Sequence, residues 1–245
     1  MDDGHTFFFR DHIPHIWVLN INSEIKHLNF FEGLLSKDEK IKAHKFKFEK
    51  DKRVSIIARG ALRVLLGKYL DISPEKIVFK YGDYGKPEFK NWQNLKFNTS
   101  HAKDLVVFGF TKNSEIGIDV EYCKSNFDVM DIVDNYFSKK EIEAIHKIPK
   151  HMQTQAFYRG WTRKEAFIKA KAKGLSFPLD AFSVSIESDN QSKLEETLWD
   201  SNEKHNWSII PFETLDNYKA AIAIQERTMV VDLFEFGLKQ INHMS

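Results

Sequence analysis

The stretch Leu35-Ser36-Lys37-Asp38-Glu39 decides the fold, because a similar stretch, Phe137-Ser138-Lys139-Lys140-Glu141, follows it 102 residues later. In both stretches a serine precedes a glutamate by three residues, which is the spacing of a capping box at the start of a helix. The helical segment 59–69 corresponds at the same offset to 161–171, and strand-like segments follow both. The repeat predicts an α+β fold of two similar α/β halves with a cleft between them.

The remaining elements follow from local patterns. Apolar residues between 35 and 70 recur mostly at helical spacing and predict two helices, which residues 71–74 terminate. Segment 187–203 has a net charge of −5 and predicts a solvated loop with short strands. Short runs rich in β-branched or aromatic residues predict strands, and they lie at 77–80, 96–98, 105–110, 116–120, 182–186, 207–211 and 218–224.

Composition narrows the class of protein. The 245 residues include 36 Lys and Arg against 35 Asp and Glu, a net charge of +1, which removes the global electrostatic argument for nucleic acid or membrane partners. The single cysteine, Cys123, excludes an internal disulfide and favours a reducing compartment. The sequence shows neither a signal peptide nor a run of about 18 apolar residues, so we expect a cytoplasmic protein.

The first candidate site is the strand-like segment 117–121. Asp119 and Glu121 are two residues apart, so on a strand both carboxylates point to one face, and paired carboxylates need a cation. A hard divalent ion such as Mg²⁺ suits oxygen ligands. The alternative is an exposed polar strand face.

The second candidate lies on the predicted helix at 161–171. Trp161, Glu165 and Lys169 share one face at spacings of four residues, so Glu165 can add a third carboxylate and Lys169 can meet a phosphate oxygen. Residues 159–173 carry a net charge of +5, which favours an anionic ligand. The alternative is an ordinary surface ion pair along the helix.

Three further segments contain residues suited to a nucleotide, although a turn and a strand end also explain the first two. Residues 84–87, Tyr-Gly-Lys-Pro, predict a turn with exposed backbone groups, and Ser100 and His101 end a predicted strand. The segment 37–53 carries a net charge of +4 and suits a phosphomonoester, although a solvated helix face also explains it. The sequence has no Walker loop, Rossmann glycine motif or zinc-ligand spacing, which argues against those classes of site.

The order and spacing of five motifs resemble those of the 4′-phosphopantetheinyl transferases, specifically the surfactin-synthetase-activating (Sfp-like) type. These motifs are Y-G-K-P at 84–87, F-N-x-S-H at 97–101, G-I-D-V-E at 117–121, F-S-x-x-E at 137–141 and W-x-x-K-E-A-F-I-K-A-x-x-K-G-L at 161–175. The resemblance implies a pseudo-dimeric monomer, with an N-terminal half at 1–114 that holds the nucleotide. A C-terminal half at 115–245 would hold the metal, the catalytic helix and the carrier-docking surface.

The resemblance also implies a role for each matching residue. Asp119, Glu121 and Glu165 would hold Mg²⁺, with Mn²⁺ as an alternative, together with the pyrophosphate of coenzyme A. The carboxylate of Glu141 would support activity. The residues implied for coenzyme A are Lys169 and His101 at the diphosphate, Tyr84, Gly85, Lys86 and Pro87 at the adenine, Lys86 and Ser100 at the nucleotide, and Lys42 and Arg53 at the 3′-phosphate, with Lys45, Lys50 or Arg59 as alternatives.

The implied reaction is a phosphoryl-type transfer. A serine hydroxyl of an apo acyl or peptidyl carrier protein attacks the β-phosphorus of coenzyme A, and 3′,5′-ADP leaves. Glu165 would act as general base, directly or through a metal-bound water, and Lys169 would neutralise charge. The apolar segment 127–136, which includes Phe127 and Met130, is either core or a carrier-docking surface.

Two other functions remain open at this point. A Mg²⁺-dependent nuclease or nucleotidyl transferase also uses clustered carboxylates with a lysine, but it leaves the motifs at 84–87 and 97–101 without a role. A catalytically silent carrier-binding module would not need three carboxylates together with Lys169.

Overall fold

The computed structural model describes residues 7, 9, 13–82, 87–89, 94–124, 128–174, 177–228 and 230–243. It confirms a mixed α+β architecture. The elements follow in the order β1 (His15–Asn20), α1 (Ile21–Glu24), α2 (Leu28–Leu34), α3 (Lys37–His44), α4 (Glu49–Leu70), β2 (Phe79–Tyr81), β3 (Pro87–Phe89), β4 (Leu95–Ala102), β5 (Leu105–Lys112), β6 (Ile116–Tyr122), α5 (Met130–Tyr136), α6 (Lys139–Lys147), α7 (Lys150–Lys171), β7 (Phe182–Val184), β8 (Leu194–Thr197), β9 (Ser208–Pro211), β10 (Tyr218–Ile224), β11 (Asp232–Glu235) and α8 (Leu238–His243).

Two sheets of similar construction dominate the fold. The first has the strand order β11-β1-β5-β4 and the second the order β6-β10-β9, and β2–β3 and β7–β8 form small hairpin sheets. In the first sheet β5 pairs antiparallel with β1 and β4, and in the second β10 pairs antiparallel with β6 and β9. Strand β11 returns from the end of the chain and lies parallel to β1, with Asp232 opposite His15.

The helices repeat as well. Ser36 and Ser138 each form the complete capping box that the sequence predicts, at the starts of α3 and α6. Helices α4 and α7 have 22 residues each, and each is followed by one residue in the left-handed conformation, Asp71 and Ala172. In both halves of this pattern the capping glutamate also binds a cation on the long helix.

That buried ion pair has equivalent geometry in the two places. Arg63 of α4 donates from Nε to Glu39 Oε2 at 2.8 Å, and Lys164 of α7 donates from Nζ to Glu141 Oε2 at 2.6 Å. All four side chains are almost fully buried. Since an unpaired buried charge is costly, each pair fixes a short capped helix against a long helix.

Three clusters of buried side chains make up the core. One joins the first sheet to α2 and α4 and includes Phe236, Leu238 and Ile241 from the end of the chain. The second surrounds α7 on its sheet. The third is aliphatic and lies between the two sheets, so it joins them without any ladder of backbone hydrogen bonds.

Strand boundaries differ from the predictions where a side chain or bulge interrupts pairing. Segment 77–80 pairs only from Phe79, because the Ile77 carbonyl accepts a hydrogen bond from Arg63 Nη1 at 3.1 Å. Segment 182–186 ends as a strand at Val184, since the pairing register shifts there. The acidic segment 187–203 contains the short strand β8, as expected.

Candidate active site

Three side chains from three elements meet at the edge where the two sheets pack together. Lys169 of α7 donates from Nζ to Asp119 Oδ1 at 2.6 Å and to Ser100 Oγ at 2.9 Å. Ser100 of β4 in turn donates to the same Asp119 oxygen at 2.9 Å. The structure thus brings together residues that are 19 to 69 positions apart in the sequence.

Glu121 and Glu165 lie beside this group. Burial and the charges of Asp119 and Glu165 raise the pKa of Glu121 to about 7. A hydrogen bond with Trp161 partly opposes this rise. Burial and the charge of Asp119 also raise the pKa of Glu165. The pKa of Asp119 is raised by burial, although Lys169 and Ser100 oppose this. The three carboxylates are therefore close enough to disfavour one another's ionisation.

Two carboxylate oxygens in this cluster have no hydrogen-bond partner. Asp119 Oδ2 and Glu165 Oε1 are both fully buried and unpaired. Buried carboxylate oxygens that lack a donor are the kind of ligand that a hard divalent cation takes. The side chains do not already converge on one point, since among the described residues no three His, Cys, Asp or Glu side chains stand close enough to hold a metal ion.

Gly117 explains why α7 lies so close to the carboxylates. A Cβ at this position would be 2.0 Å from the Ala166 carbonyl oxygen and 2.3 Å from the Ala170 backbone nitrogen. Only glycine permits this approach, so the α7 backbone packs directly on β6. This close approach places Glu165 and Lys169 next to Asp119, which lies two residues after Gly117 on the same strand face.

A cavity of about 400 Å³ adjoins this cluster through His101. Desolvation and the positive charge of Lys169 lower the pKa of His101, so its imidazole is neutral near pH 7. Basic and hydroxyl side chains alternate with apolar ones around the cavity, whose lining residues are Phe46, Lys50, Asp51, Val54, Ser55, Ala58, His101 and Lys103. The lining therefore combines two lysines and a histidine with one carboxylate and three apolar side chains.

The structure brings together only some of the residues that we expect to bind the nucleotide part of coenzyme A. Lys42 lies over the Tyr81 ring, 4.5 Å from its centroid, and Arg53 is exposed. Among the described residues, neither of them lines the cavity at His101, whereas the alternative Lys50 does. Tyr84, Gly85 and Lys86 lie outside the described residues, and Pro87 begins β3.

Glu141 is buried and fully occupied in the fold. Its carboxylate accepts hydrogen bonds from Lys164 Nζ, from the backbone nitrogen of Ser138 and from the backbone nitrogen of Val184. The structure therefore ties α6, α7 and β7 together at this carboxylate. Its partner Lys164 directly precedes Glu165 on α7.

The segment considered for carrier docking contributes mainly to the core. Val129 and Val133 are buried, while Met130 and Ile132 are partly buried against the same cluster. Tyr136 is 53% exposed. Phe127 lies outside the described residues.

The structure adds contacts around the cluster that the sequence patterns do not predict. The helix spacing places Trp161 on the same face as Glu165, but its hydrogen bond to Glu121 depends on how α7 crosses β6. Lys164 belongs to the motif at 161–175, but its burial and its ion pair with Glu141 emerge only from the structure. Lys103 of the β4–β5 turn reaches the cavity because β4 ends there.

Comparison with known proteins identifies the family. Residues 115–223 match the profile of the 4′-phosphopantetheinyl transferase superfamily, and residues 22–112 match the profile described as 4′-phosphopantetheinyl transferase, N-terminal. The structure also overlays on the crystal structure of Thermotoga maritima holo-[acyl-carrier-protein] synthase with a TM-score of 0.36 and 19% identity, covering 46% of this chain and 64% of that one. This overlay is too weak to bear on the fold.

Whole-chain relatives agree with the profiles. The chain is 29% identical to the 4′-phosphopantetheinyl transferase HetI of Nostoc sp. over 86% of both chains. It is 32% identical to the 4′-phosphopantetheinyl transferase Sfp of Bacillus subtilis, over 67% of this chain and 72% of that one. A second Bacillus subtilis 4′-phosphopantetheinyl transferase is 31% identical over 77% and 81%. This chain belongs to the 4′-phosphopantetheinyl transferase family.

Proposed function

We propose that this enzyme transfers the 4′-phosphopantetheine arm of coenzyme A to a serine of an apo carrier protein, and that the reaction takes place at Asp119, Glu121, Glu165 and Lys169. One observation carries the proposal: three carboxylates with raised pKa values and a lysine lie near one another between the two sheets, next to a cavity that Lys50 and Lys103 help to line. Carboxylates beside a cavity with lysines in its wall suit a substrate whose pyrophosphate arrives with a cation.

The carboxylates fit Mg²⁺, with Mn²⁺ as the open alternative. The unpaired Asp119 Oδ2 and Glu165 Oε1 supply oxygen ligands, and Glu121 supplies a third carboxylate. When bound, the ion neutralises the pyrophosphate and orients it for displacement. Its binding would require side chains to move, because the described carboxylates do not converge on one point in the present arrangement.

The chain's own groups handle the proton and the remaining charge. The carrier serine oxygen forms a bond to the β-phosphorus, the bond from that phosphorus to the bridging oxygen breaks, and 3′,5′-ADP departs with the electron pair. Glu165 accepts the serine proton, a role that its raised pKa favours near neutral pH. Lys169 donates hydrogen bonds to the phosphate oxygens as charge moves to the leaving group.

The cavity at His101 is the proposed site of the 3′-phosphate. Lys50 and Lys103 supply charge there, Ser55 and the neutral His101 supply hydrogen bonds, and Phe46 supplies an apolar wall. The expected roles of Lys42 and Arg53 stay predictions, and so does the adenine contact at 84–87. Ser100 is better suited to orient Asp119 and Lys169, with which it shares hydrogen bonds.

Glu141 is a positioning residue in this account. It fixes Lys164, which precedes Glu165 on α7, and it keeps the helix seated against β7. The variant Glu141→Gln should therefore act through the stability of this packing rather than through contact with substrate.

The proposal extends to the arrangement of the two halves of the chain. Two sheets with matching strand order, two capping boxes and two equal long helices support a pseudo-dimeric arrangement that places the site between its halves. The division at 114 and 115 remains a proposal, since β11 and α8 pack with the first sheet. A monomeric, cytoplasmic enzyme remains the expectation. Within the described residues, no helix is both long and apolar enough to cross a membrane.

Release of 3′,5′-ADP tests the proposal against its alternatives. The chain is incubated with coenzyme A, Mg²⁺ and an apo carrier protein, and the nucleotide products are separated by chromatography. We expect 3′,5′-ADP only when all three are present, and none with a carrier whose acceptor serine is replaced by alanine. Release without a carrier, or cleavage of added nucleic acid, would favour a nuclease. No release with any carrier would favour a silent binding module.

A further inference from the structure

The two sides of the candidate active site stand on different sheets. Ser100 lies on β4, at the edge of the first sheet, and Asp119 lies on β6, at the edge of the second sheet. Backbone pairing within each sheet does not determine how far β6 is shifted along β4. The contact between Ser100 and Asp119 therefore depends on what joins the sheets.

Most of that junction is aliphatic. It contains isoleucine, valine, leucine and alanine side chains from β1, β5, β6 and β10, all of them buried. Apolar contact is not directional, so it specifies the register between the sheets less sharply than a hydrogen bond does. A shift of one residue along β6 would turn Asp119 to the opposite face.

Asn98 supplies a directional contact across this junction. The side chain is 6% exposed, and its Oδ1 accepts a hydrogen bond from the backbone nitrogen of Ile118 at 3.0 Å. Because β6 is an edge strand, alternate N–H groups point away from β10, and the Ile118 group is one that reaches β4. Ile118 directly precedes Asp119, and Asn98 lies two residues before Ser100 on the same face.

We propose that Asn98 is a positioning residue that sets the register of β6 against β4, and through it the contact of Ser100 and Lys169 with Asp119. A single buried polar group between apolar surfaces is a known means of fixing register. Two hydrogen bonds then join β4 to β6 at the cluster. The backbone nitrogen of Ile118 donates to Asn98 Oδ1 at 3.0 Å, and Ser100 Oγ donates to Asp119 Oδ1 at 2.9 Å. The functional consequence of this register rests on the proposed function.

Two readouts test the proposal. The first is the hydrogen-exchange rate of the Ile118 amide, measured by NMR in metal-free, substrate-free protein. The second is the dissociation constant for Mn²⁺, titrated calorimetrically in the presence of 3′,5′-ADP, which carries no transferable arm. The variant Asn98→Leu removes the hydrogen-bond acceptor and keeps a similar side-chain volume. If the leucine variant does not fold, Asn98→Ser is used in its place.

The control is Ile224→Val. It removes one buried methyl group from the same interface at a residue paired with Ile116, away from the Asn98 contact. Both variants should lower the melting temperature. Only the Asn98 variant should speed exchange at Ile118 by about tenfold, through loss of a hydrogen bond. Only that variant should raise the Mn²⁺ dissociation constant by about tenfold or more.

Wild-type exchange at Ile118, or wild-type Mn²⁺ affinity, in both Asn98 variants would overturn the proposal. Equal changes in the Asn98 and Ile224 variants, scaled to their loss of melting temperature, would overturn it too, because the role would then be packing alone. Turnover of the unaltered chain with a carrier tests the proposed function separately, since the exchange measurement requires neither metal nor substrate.

Discussion

At the scale of single residues, Lys169 is the side chain to which the proposed mechanism assigns the most direct role. It contacts both Asp119 and Ser100, and its ammonium group is the cation nearest to the carboxylates. A compact, mobile charge can move from a carboxylate to a phosphate oxygen when substrate arrives. This exchange of partners gives Lys169 a role in both the free and the loaded enzyme.

Replacing this lysine should therefore slow the chemical step. We expect Lys169→Met to lower kcat by about 100-fold, the usual effect of removing one donor to a developing charge. KM for the carrier protein should change little, because the lysine lies in the nucleotide site. Steady-state kinetics with varied carrier concentration measure both constants. An unchanged kcat with a raised carrier KM would contradict this role.

Glu141 and Lys164 form a buried ion pair, which we expect to stabilise the folded protein. Glu141 is 1% exposed and Lys164 is fully buried, and burial lowers the pKa of Lys164. We expect Glu141→Gln to reduce the free energy of unfolding by about 3–5 kcal/mol, because it strands a buried ammonium group. Urea denaturation monitored by circular dichroism gives this value.

The double variant Glu141→Gln, Lys164→Met is the matched control. It removes the stranded charge, so it should recover much of the lost stability. If the single variant costs less than about 1 kcal/mol, the pair is not the support that its geometry implies.

At the scale of elements, the packing of α7 on β6 creates the cluster. This packing requires a bare backbone at Gly117, since a Cβ there would overlap Ala166 and Ala170. The strand and the helix then present Asp119, Glu165 and Lys169 to one another. The close approach also brings Trp161 to Glu121.

Adding one methyl group at this crossing should force the two elements apart. We expect Gly117→Ala to destabilise the protein by about 3 kcal/mol or more, at the upper end of overpacking effects. The matched control is Gly33→Ala in α2, where a Cβ meets nothing within 4 Å. That variant should be neutral or stabilising by up to about 1 kcal/mol. Similar melting temperatures for the two variants would contradict the close-packing explanation.

The strand and helix periodicities made part of this cluster predictable. A spacing of two put Asp119 and Glu121 on one strand face, and spacings of four put Trp161, Glu165 and Lys169 on one helix face, as the structure has them. The crossing of β4 with β6 could not be predicted in the same way, because it depends on the packing of two separate sheets. For that reason the tie from Asn98 to Ile118, and the lysines around the His101 cavity, emerge only from the three-dimensional arrangement.

At the scale of the whole molecule, the proposed metal site implies that metal binding and protonation compete for the same carboxylates. The folded-state pKa of Glu121 is raised to about 7 from 4.5, so its protonated form stabilises the metal-free protein at low pH. That contribution is fully present below about pH 4.5 and is lost as the pH rises through 7. In the proposed site, a divalent ion would take the place of the proton at higher pH.

The thermal stabilisation by Mg²⁺ should therefore depend on pH. We expect the rise in Tm on adding saturating Mg²⁺ to be larger at pH 8 than at pH 6, as measured by scanning calorimetry. The variant Glu121→Gln should reduce this difference, since it removes the titrating group. A rise in Tm that is equal at both pH values, or larger at pH 6, would contradict the assignment of these carboxylates to the metal.

The central claim is group transfer to a carrier at the Asp119 cluster, and the mass of the intact carrier tests it most directly. Apo carrier proteins are incubated with the chain, coenzyme A and Mg²⁺ and then weighed by mass spectrometry. We expect a gain of one phosphopantetheine arm on at least one carrier with the wild-type chain, and no gain with Asp119→Ala. An unchanged mass for every carrier, or the same gain with Asp119→Ala, would contradict it.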